Sequence, residues 1–106
     1  MANTYVNAKL DLTSTDVTTL YTAASLTTGI IKSILVSEDS GNADTITVTI
    51  TNGSDVYNLF KTKAIGANAT VELLDAPLVI GTTEIVKVTA ATANRLHVIA
   101  SILEIT

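Results

Sequence analysis

The chain's single histidine, His97, is the first residue to consider for catalysis or metal binding. Either role needs acidic, thiol or further imidazole partners, and its sequence neighbours Leu96 and Val98 are apolar. The pattern therefore favours a partly buried strand residue at a subunit interface. Because histidine changes its charge between about pH 5 and 8, an interfacial His97 predicts assembly that responds to mild acid.

A second candidate is the group of oxygen-bearing side chains around Gly41, which consists of Glu38, Asp39, Asn42 and Asp44. Such oxygens suit Ca²⁺, but the ligand spacing and the closing glutamate of an EF-hand are missing. Asp and Asn also favour turns, because their side chains bond to nearby backbone groups. We interpret the group as a solvated β-turn between strands and predict no metal site.

Hydroxyl groups are abundant, but the motifs that would put them to use are missing. The sequence has no G-x-S-x-G elbow, no phosphate-binding G-x-x-x-x-G-K-[ST] and no dinucleotide-binding G-x-G-x-x-G. It has no cysteine either, and therefore no thiol nucleophile, disulfide or thiolate metal site. We predict that the protein is not an enzyme, has no catalytic residues and takes no cofactor.

Composition narrows the class of protein. A length of 106 residues predicts one domain, 1–106. Threonine (19 residues), isoleucine (11) and valine (10) make the chain rich in β-branched residues, which suit pleated strands. The net charge is −4 and the few basic residues are mostly isolated, so nucleic acid is not an expected partner. No apolar run reaches the roughly 18 residues of a membrane span, and Met1–Thr4 has no signal-peptide pattern, so we expect synthesis in a cytoplasm.

The clearest structural element is the alternation in residues 44–51. Isoleucine and valine occupy one face and threonine the other, which is the pattern of a half-buried strand. Asn52-Gly53 follows, a pair that favours a hairpin in which both central residues have positive φ. Similar runs predict strands near 4–12, 18–23, 30–38, 44–51, 55–61, 69–74, 83–90 and 95–105.

Turn signals separate these strands at intervals of roughly 8–14 residues, as is typical of sandwiches and barrels. They are Thr28-Gly29, Ser40-Gly41-Asn42, Asn52-Gly53, Gly66-Ala67-Asn68, Asp75-Ala76-Pro77, Gly81 and Ala93-Asn94. Pro77 lacks an N–H and is expected in a bend or at a sheet edge. We predict an all-β fold: a single antiparallel β-sandwich of about eight strands, jelly-roll-like or immunoglobulin-like.

The last strand predicts assembly, because both of its faces are apolar. One face carries alternate residues of 96–102 and is assigned to the core. The other is assigned to an oligomer interface and carries His97, Ile99, Ser101, Leu103 and Ile105. A sandwich covers one face with its own second sheet, so a second cover points to another subunit. Residues 30–36 suggest the same, with Ile30, Ile34 and Val36 expected on one face and Ile31 and Leu35 on the other.

Several short phrases resemble small structural proteins of tailed bacteriophages. They are Leu20-Tyr21-Thr22-Ala23, Ile30 to Ser37 with Ser40-Gly41, Leu73-Leu74 with Asp75-Ala76-Pro77-Leu78, and Val98 to Ile105. Gly81-Thr82-Thr83-Glu84 stands where such bends often continue into a glycine-aspartate turn. The resemblance implies a β-sandwich virion protein that forms a homotrimer or larger ring.

Within the virion, the resemblance implies a capsid decoration or cement protein that binds the major capsid protein or another virion protein. A tail, neck or baseplate component is the first alternative. A carbohydrate- or protein-binding module is the second; it would be a monomer with an exposed groove among the polar loops at 38–44, 52–55 and 66–69.

Overall fold

A computed structural model describes residues 2–106 of the chain. Met1, the first residue of the segment considered for a signal-peptide pattern, lies outside the described residues. The described residues form nine strands and no helix. The strands are β1 (Asn3–Asp11), β2 (Thr18–Thr22), β3 (Thr28–Glu38), β4 (Asp44–Asn52), β5 (Asp55–Ile65), β6 (Thr70–Glu72), β7 (Leu78–Ile80), β8 (Ile85–Ala90) and β9 (Leu96–Ile105). Within this range there is accordingly no apolar helix of membrane-spanning length.

Two antiparallel sheets pack against each other as a β-sandwich, which confirms the predicted fold class. Sheet A has the order β1-β9-β3-β6, with β7 also beside β3, and sheet B has the order β2-β8-β4-β5. The first strand pairs with the last and the second with the last but one, inward to the β4–β5 hairpin. This nesting of pairs across two sheets is the strand order of a jelly roll.

The strand count is nine because one jelly-roll position is split in two. The short strands β6 and β7 pair with different halves of β3 and lie end to end along its edge. The loop 73–77 separates them and contains Pro77, which lies in a bend at the sheet edge, as predicted. The predicted strand 69–74 thus corresponds to β6, and Leu78–Ile80 escaped prediction because three residues are too short to show a period.

The core lies between the sheets and follows the predicted alternation. On β4, Ile46 and Val48 are fully buried, while the intervening threonines face outward. On β9, the buried residues are Leu96, Val98, Ala100 and Ile102, as predicted. Burying each valine or isoleucine side chain contributes about 1.5–3 kcal/mol.

The β4–β5 hairpin is confirmed, but its turn differs from the prediction by one residue. Asn52 pairs with Asp55, so the two-residue loop is Gly53-Ser54. Gly53 has a φ of 63°, whereas Asn52 and Ser54 do not have positive φ. Glycine at the first central position is the requirement of a type II′ turn, whereas the Asn-Gly pair had predicted type I′.

A bulge in β3 overturns the predicted facing of its first isoleucines. The register with β9 shifts between Ile31 and Ser33, which adds one residue to β3. Consequently Ile31 is buried with Ile34, and Ile30 faces outward. The expectation that Ile30 shares a face with Ile34 was wrong, because it assumed an unbroken period of two.

Gly29 lies inside β3 and not in the predicted Thr28-Gly29 turn; the turn falls at Ser25-Leu26, where Leu26 has a φ of 60°. Gly29 is glycine for a packing reason. A Cβ there would lie 2.6 Å from Cε2 of Tyr21, whose ring covers this position. The Tyr21 hydroxyl donates to Oε2 of Glu104 at 2.7 Å, so a side chain of sheet B is fixed to sheet A. Burial, and then this carboxylate neighbour, raise the pKa of Tyr21 well above its usual range.

Candidate interaction surface

The outer face of sheet A carries a group of apolar side chains that the chain itself does not cover. We call this group the apolar face, and it consists of Tyr5, Ile30, Leu35, Val79, Ile99 and Leu103. The exposed fractions of Tyr5, Val79, Ile99 and Leu35 are 76%, 59%, 43% and 38%. Four strands contribute to it, so it extends across the sheet.

Strand register organises the apolar face into rows, because directly opposed residues lie on the same side of a sheet. The first row crosses all four strands and runs Tyr5, Leu103, Ile30, Val79. The second row holds Ile99 and Leu35 between two charged ends, Lys9 and Glu72. A polar row, Asn7, Ser101 and Ser33, separates them.

All five residues assigned to an interface from the sequence project from the side of β9 that faces away from the core. Ile99 and Ser101 are exposed, and His97, Leu103 and Ile105 are partly buried. The sequence missed the contributions of the neighbouring strands, above all Tyr5 and Val79. Their positions follow from the β1–β9 and β3–β7 registers, which no local pattern encodes.

The structure gives His97 two acidic neighbours that the sequence analysis did not identify. Nε2 of His97 lies 3.2 Å from Oδ1 of Asp11, and Nδ1 lies 3.5 Å from Oδ2 of Asp39. The carboxylates contact opposite ring nitrogens, so they hold the imidazole between them and do not converge on a shared point. Asp11 is the direct cross-strand partner of His97, which a correct pairing of the first and last strands would have predicted.

The acidic group near Gly41 serves the backbone, and the interpretation as a solvated turn was wrong for two of its members. Glu38 is only 2% exposed and accepts hydrogen bonds from the N–H groups of Ser40 (2.7 Å), Gly41 (2.9 Å) and Asn68 (3.0 Å), and from the Ser40 hydroxyl. Asp44 is buried too and accepts from the N–H of Thr92 at 3.1 Å.

These bonds change the acidity of Glu38. Burial alone raises the pKa of a carboxyl, but the bonds from Ser40, Asn68 and Gly41 outweigh it and lower the pKa of Glu38 to about 2. The ionised carboxylate thereby ties loop 39–43 to loop 66–69.

Loop 53–54 lies at the far end of β4, so the three polar loops proposed for a binding groove do not share one end of the sandwich.

Glu72 performs a similar task at the β3 bulge. Its carboxylate accepts from the N–H groups of Ile34 (2.9 Å) and Leu74 (3.2 Å) and from the Ser33 hydroxyl. Desolvation opposes ionisation, and these bonds, the one from Ser33 foremost, lower the pKa of Glu72. The carboxylate thus supplies a partner for the Ile34 N–H on the side of β3 where the short ladder with β6 ends.

Over residues 2–106 no group of three or more His, Cys, Asp or Glu side chains is arranged to hold a metal ion. The concave regions of sheet A are shallow grooves on its outer face; one is lined by Tyr5, Asn7, Lys32 and Ser101, and another by Lys9, Asp11, His97 and Ile99.

No protein-family model matches the chain, and no curated protein matches it significantly. The outer face of sheet A is therefore the candidate functional site on its geometry alone.

Proposed function

We propose that this chain is a structural protein of a bacteriophage virion. Two features support the proposal: the resemblance of its short phrases to such proteins, and its jelly-roll strand order, which also occurs in viral capsid domains. Within that class we propose a capsid decoration or cement protein that binds the assembled head.

The apolar face is the observation that carries this proposal. Monomeric proteins rarely expose large contiguous apolar patches, and apolar surface rimmed by polar residues often marks an interaction site. Here Ile99 and Leu35 are flanked by the charges of Lys9 and Glu72, which gives an apolar centre with a polar border. We propose that this face packs against further copies of the chain in a homotrimer or larger ring, with the outer side of β9 in the contact.

The proposed mechanism is mechanical and involves no catalysis. A protein that binds the assembled shell but not its separate parts stabilises the shell by mass action. At a free concentration of 100 times Kd, each occupied site contributes about 2.7 kcal/mol. The major capsid protein is the proposed partner, and the virion is the proposed location.

The test is to add the purified protein to phage heads that lack it, and to measure bound copies by co-sedimentation and the temperature at which the heads rupture. We expect saturable binding and a higher rupture temperature. The Ile99→Asp variant should lose both effects, and Thr49→Asp, on the outer face of sheet B, should retain them.

Labelled imaging of intact particles decides the location. Label on the head surface supports the decoration role. Label confined to the tail, neck or baseplate would replace it with the alternative virion role, and label on neither structure would exclude both.

A further inference from the structure

The four sheet edges of the sandwich differ in how well they are protected from pairing with another chain. Sheet A is bounded by β1 on one side and by β6 and β7 on the other, and sheet B is bounded by β2 and β5. An edge strand presents unpaired N–H and C=O groups, and proteins usually block such edges with bulges, prolines, lysines or short strands.

Three of the edges carry such devices. The strands β6 and β7 are three residues each and are separated by a loop that contains Pro77. The edge strand β2 has only five residues and a register shift between Thr19 and Tyr21. The edge strand β5 has two register shifts against β4, two lysines and a positive φ of 51° at Thr62.

The edge formed by β1 carries only one of these devices, a single lysine. It has nine residues, an unbroken register with β9, no proline, no glycine and one lysine. Ala2 and Thr106 exchange both backbone hydrogen bonds, and the Leu12 N–H donates to the C=O of Leu96. The backbone N–H and C=O groups of the even-numbered residues of β1 therefore point towards β9. The backbone groups of the odd-numbered residues 3, 5, 7 and 9 therefore point away from the sheet.

We propose that β1 pairs antiparallel with β1 of a second copy, about a two-fold axis at Asn7. In this register Asn7 lies opposite Asn7 of the second copy, Tyr5 opposite Lys9, and Asn3 opposite Asp11. All nine residues take part, and the outward-facing backbone groups of both copies meet. Sliding either strand by two residues shortens the ladder.

The side chains of β1 are complementary to themselves in this register. Tyr5 meets Lys9, an aromatic ring beside an ammonium group, which attract each other. Asn7 meets itself, and a side-chain amide both donates and accepts. The register brings no like charges directly opposite each other, a juxtaposition that would destabilise the pair.

The contact would also join the apolar faces of the two copies. In one copy the first apolar row ends at Tyr5, and Lys9 of the second copy begins the row that contains Ile99 and Leu35. Both apolar faces would then lie on the same side of one continuous sheet. The contact uses a sheet edge, so it does not depend on the proposed virion role.

Cysteine cross-linking tests the register directly, because the natural chain has no cysteine. In the full chain, Asn7→Cys places two thiols on the proposed axis, where the Cα atoms of a hydrogen-bonded pair are about 5.5 Å apart, a separation that suits a disulfide. The control Asn3→Cys is equally exposed, but its two copies would lie roughly 27 Å apart along the ladder. Under mild oxidation we expect the position-7 variant to form covalent dimers at least tenfold faster. Equal rates, or no dimer from either variant, would overturn the proposal.

A proline variant tests the edge itself. The Asn7 N–H points outward, so Asn7→Pro keeps the β1–β9 ladder and removes a donor from the proposed contact. By light scattering we expect half the wild-type mass and at least a tenfold higher dissociation constant, while Asn7→Ala keeps the wild-type mass. Circular dichroism confirms that both variants are folded. An Asn7→Pro variant with unchanged mass, or a wild type that stays monomeric, contradicts the two-fold contact.

Discussion

The outer faces of the two sheets differ, although both are built by the same alternation of residues. On sheet B the outward positions of β4 are threonines, and their neighbours on β8 include Lys87 and Thr89. On sheet A the corresponding outward positions include Ile99 and Leu35. Inward positions are mostly apolar in both sheets, so they account for the fold. The outward positions of β4 and β9 differ, and this difference supports the proposal that sheet A is the side that meets another surface.

Charge substitutions on the outer faces of the two sheets should have the most different effects. We expect Ile99→Asp to abolish the homotrimer or ring proposed for the apolar face, because it places a carboxylate in the apolar row of Ile99 and Leu35. Thr49→Asp should leave assembly unchanged, because it replaces one polar group by another beside Lys87. Light scattering coupled to size exclusion measures both masses. Equal masses for Ile99→Asp and the wild type would show that the interface lies elsewhere.

Gly29→Ala should damage the fold without touching the apolar face, which separates the two kinds of effect. The added Cβ would lie 2.6 Å from the Tyr21 ring, and such overpacking costs about 1–3 kcal/mol. The control Gly66→Ala adds a Cβ at an ordinary 3.7 Å from Ala69. Urea unfolding followed by circular dichroism gives the free energies. A loss of assembly by folded Gly29→Ala protein would contradict this separation.

Acid should weaken the sandwich through Glu38. The pKa of Glu38 in the folded chain is about 2, below its ordinary value of 4.5. The stabilisation from the ionised form is therefore complete above about pH 4.5, and it is lost as the pH falls towards 2. We expect Glu38→Gln to flatten this part of the curve of unfolding free energy against pH. Parallel curves for variant and wild type would show that other carboxyl groups cause the acid sensitivity. Glu72→Gln is the matched comparison, because the pKa of Glu72 is also lowered.

The smallest expected effect concerns His97 and uses pH values at which Glu38 remains ionised. A protonated imidazole donates to both Asp11 and Asp39, whereas a neutral one donates at a single nitrogen. Protonation also offsets the two carboxylates on a face that carries Lys9, Lys32 and Glu72 as well. We expect the dissociation constant of the oligomer to be modestly lower at pH 5.5 than at pH 8. The His97→Gln variant should remove this difference. Equal assembly of the wild type at both values rules this out.

The sequence predicted the sandwich well, because strand alternation is a local property. The inner residues of β4 and β9 were identified correctly, as was the β4–β5 hairpin. Local patterns failed where tertiary structure intervened, because the β3 bulge reversed Ile30 and Ile31. The short strand Leu78–Ile80 was also missed, whereas the bend at Asp75-Ala76-Pro77 was predicted correctly. For the site, alternation placed all five residues of β9 on one face. Tyr5, Val79 and the Asp11–His97 contact depend on which strands become neighbours, so periodicity alone had no access to them.

The pairing of β1 with β9 also bears on how the chain folds. Residues 2 and 106 are hydrogen-bonded to each other, so this ladder closes a loop that spans nearly the whole described chain. Closing such loops costs entropy before any contact repays it, and β-proteins of this kind fold in milliseconds to seconds. Until β9 is in place, β1 has two open edges and an uncovered Val6. The strand with the least protected edge in the finished sandwich is thus also the one whose partner lies farthest along the sequence, so we expect misassembly between chains to begin at this strand.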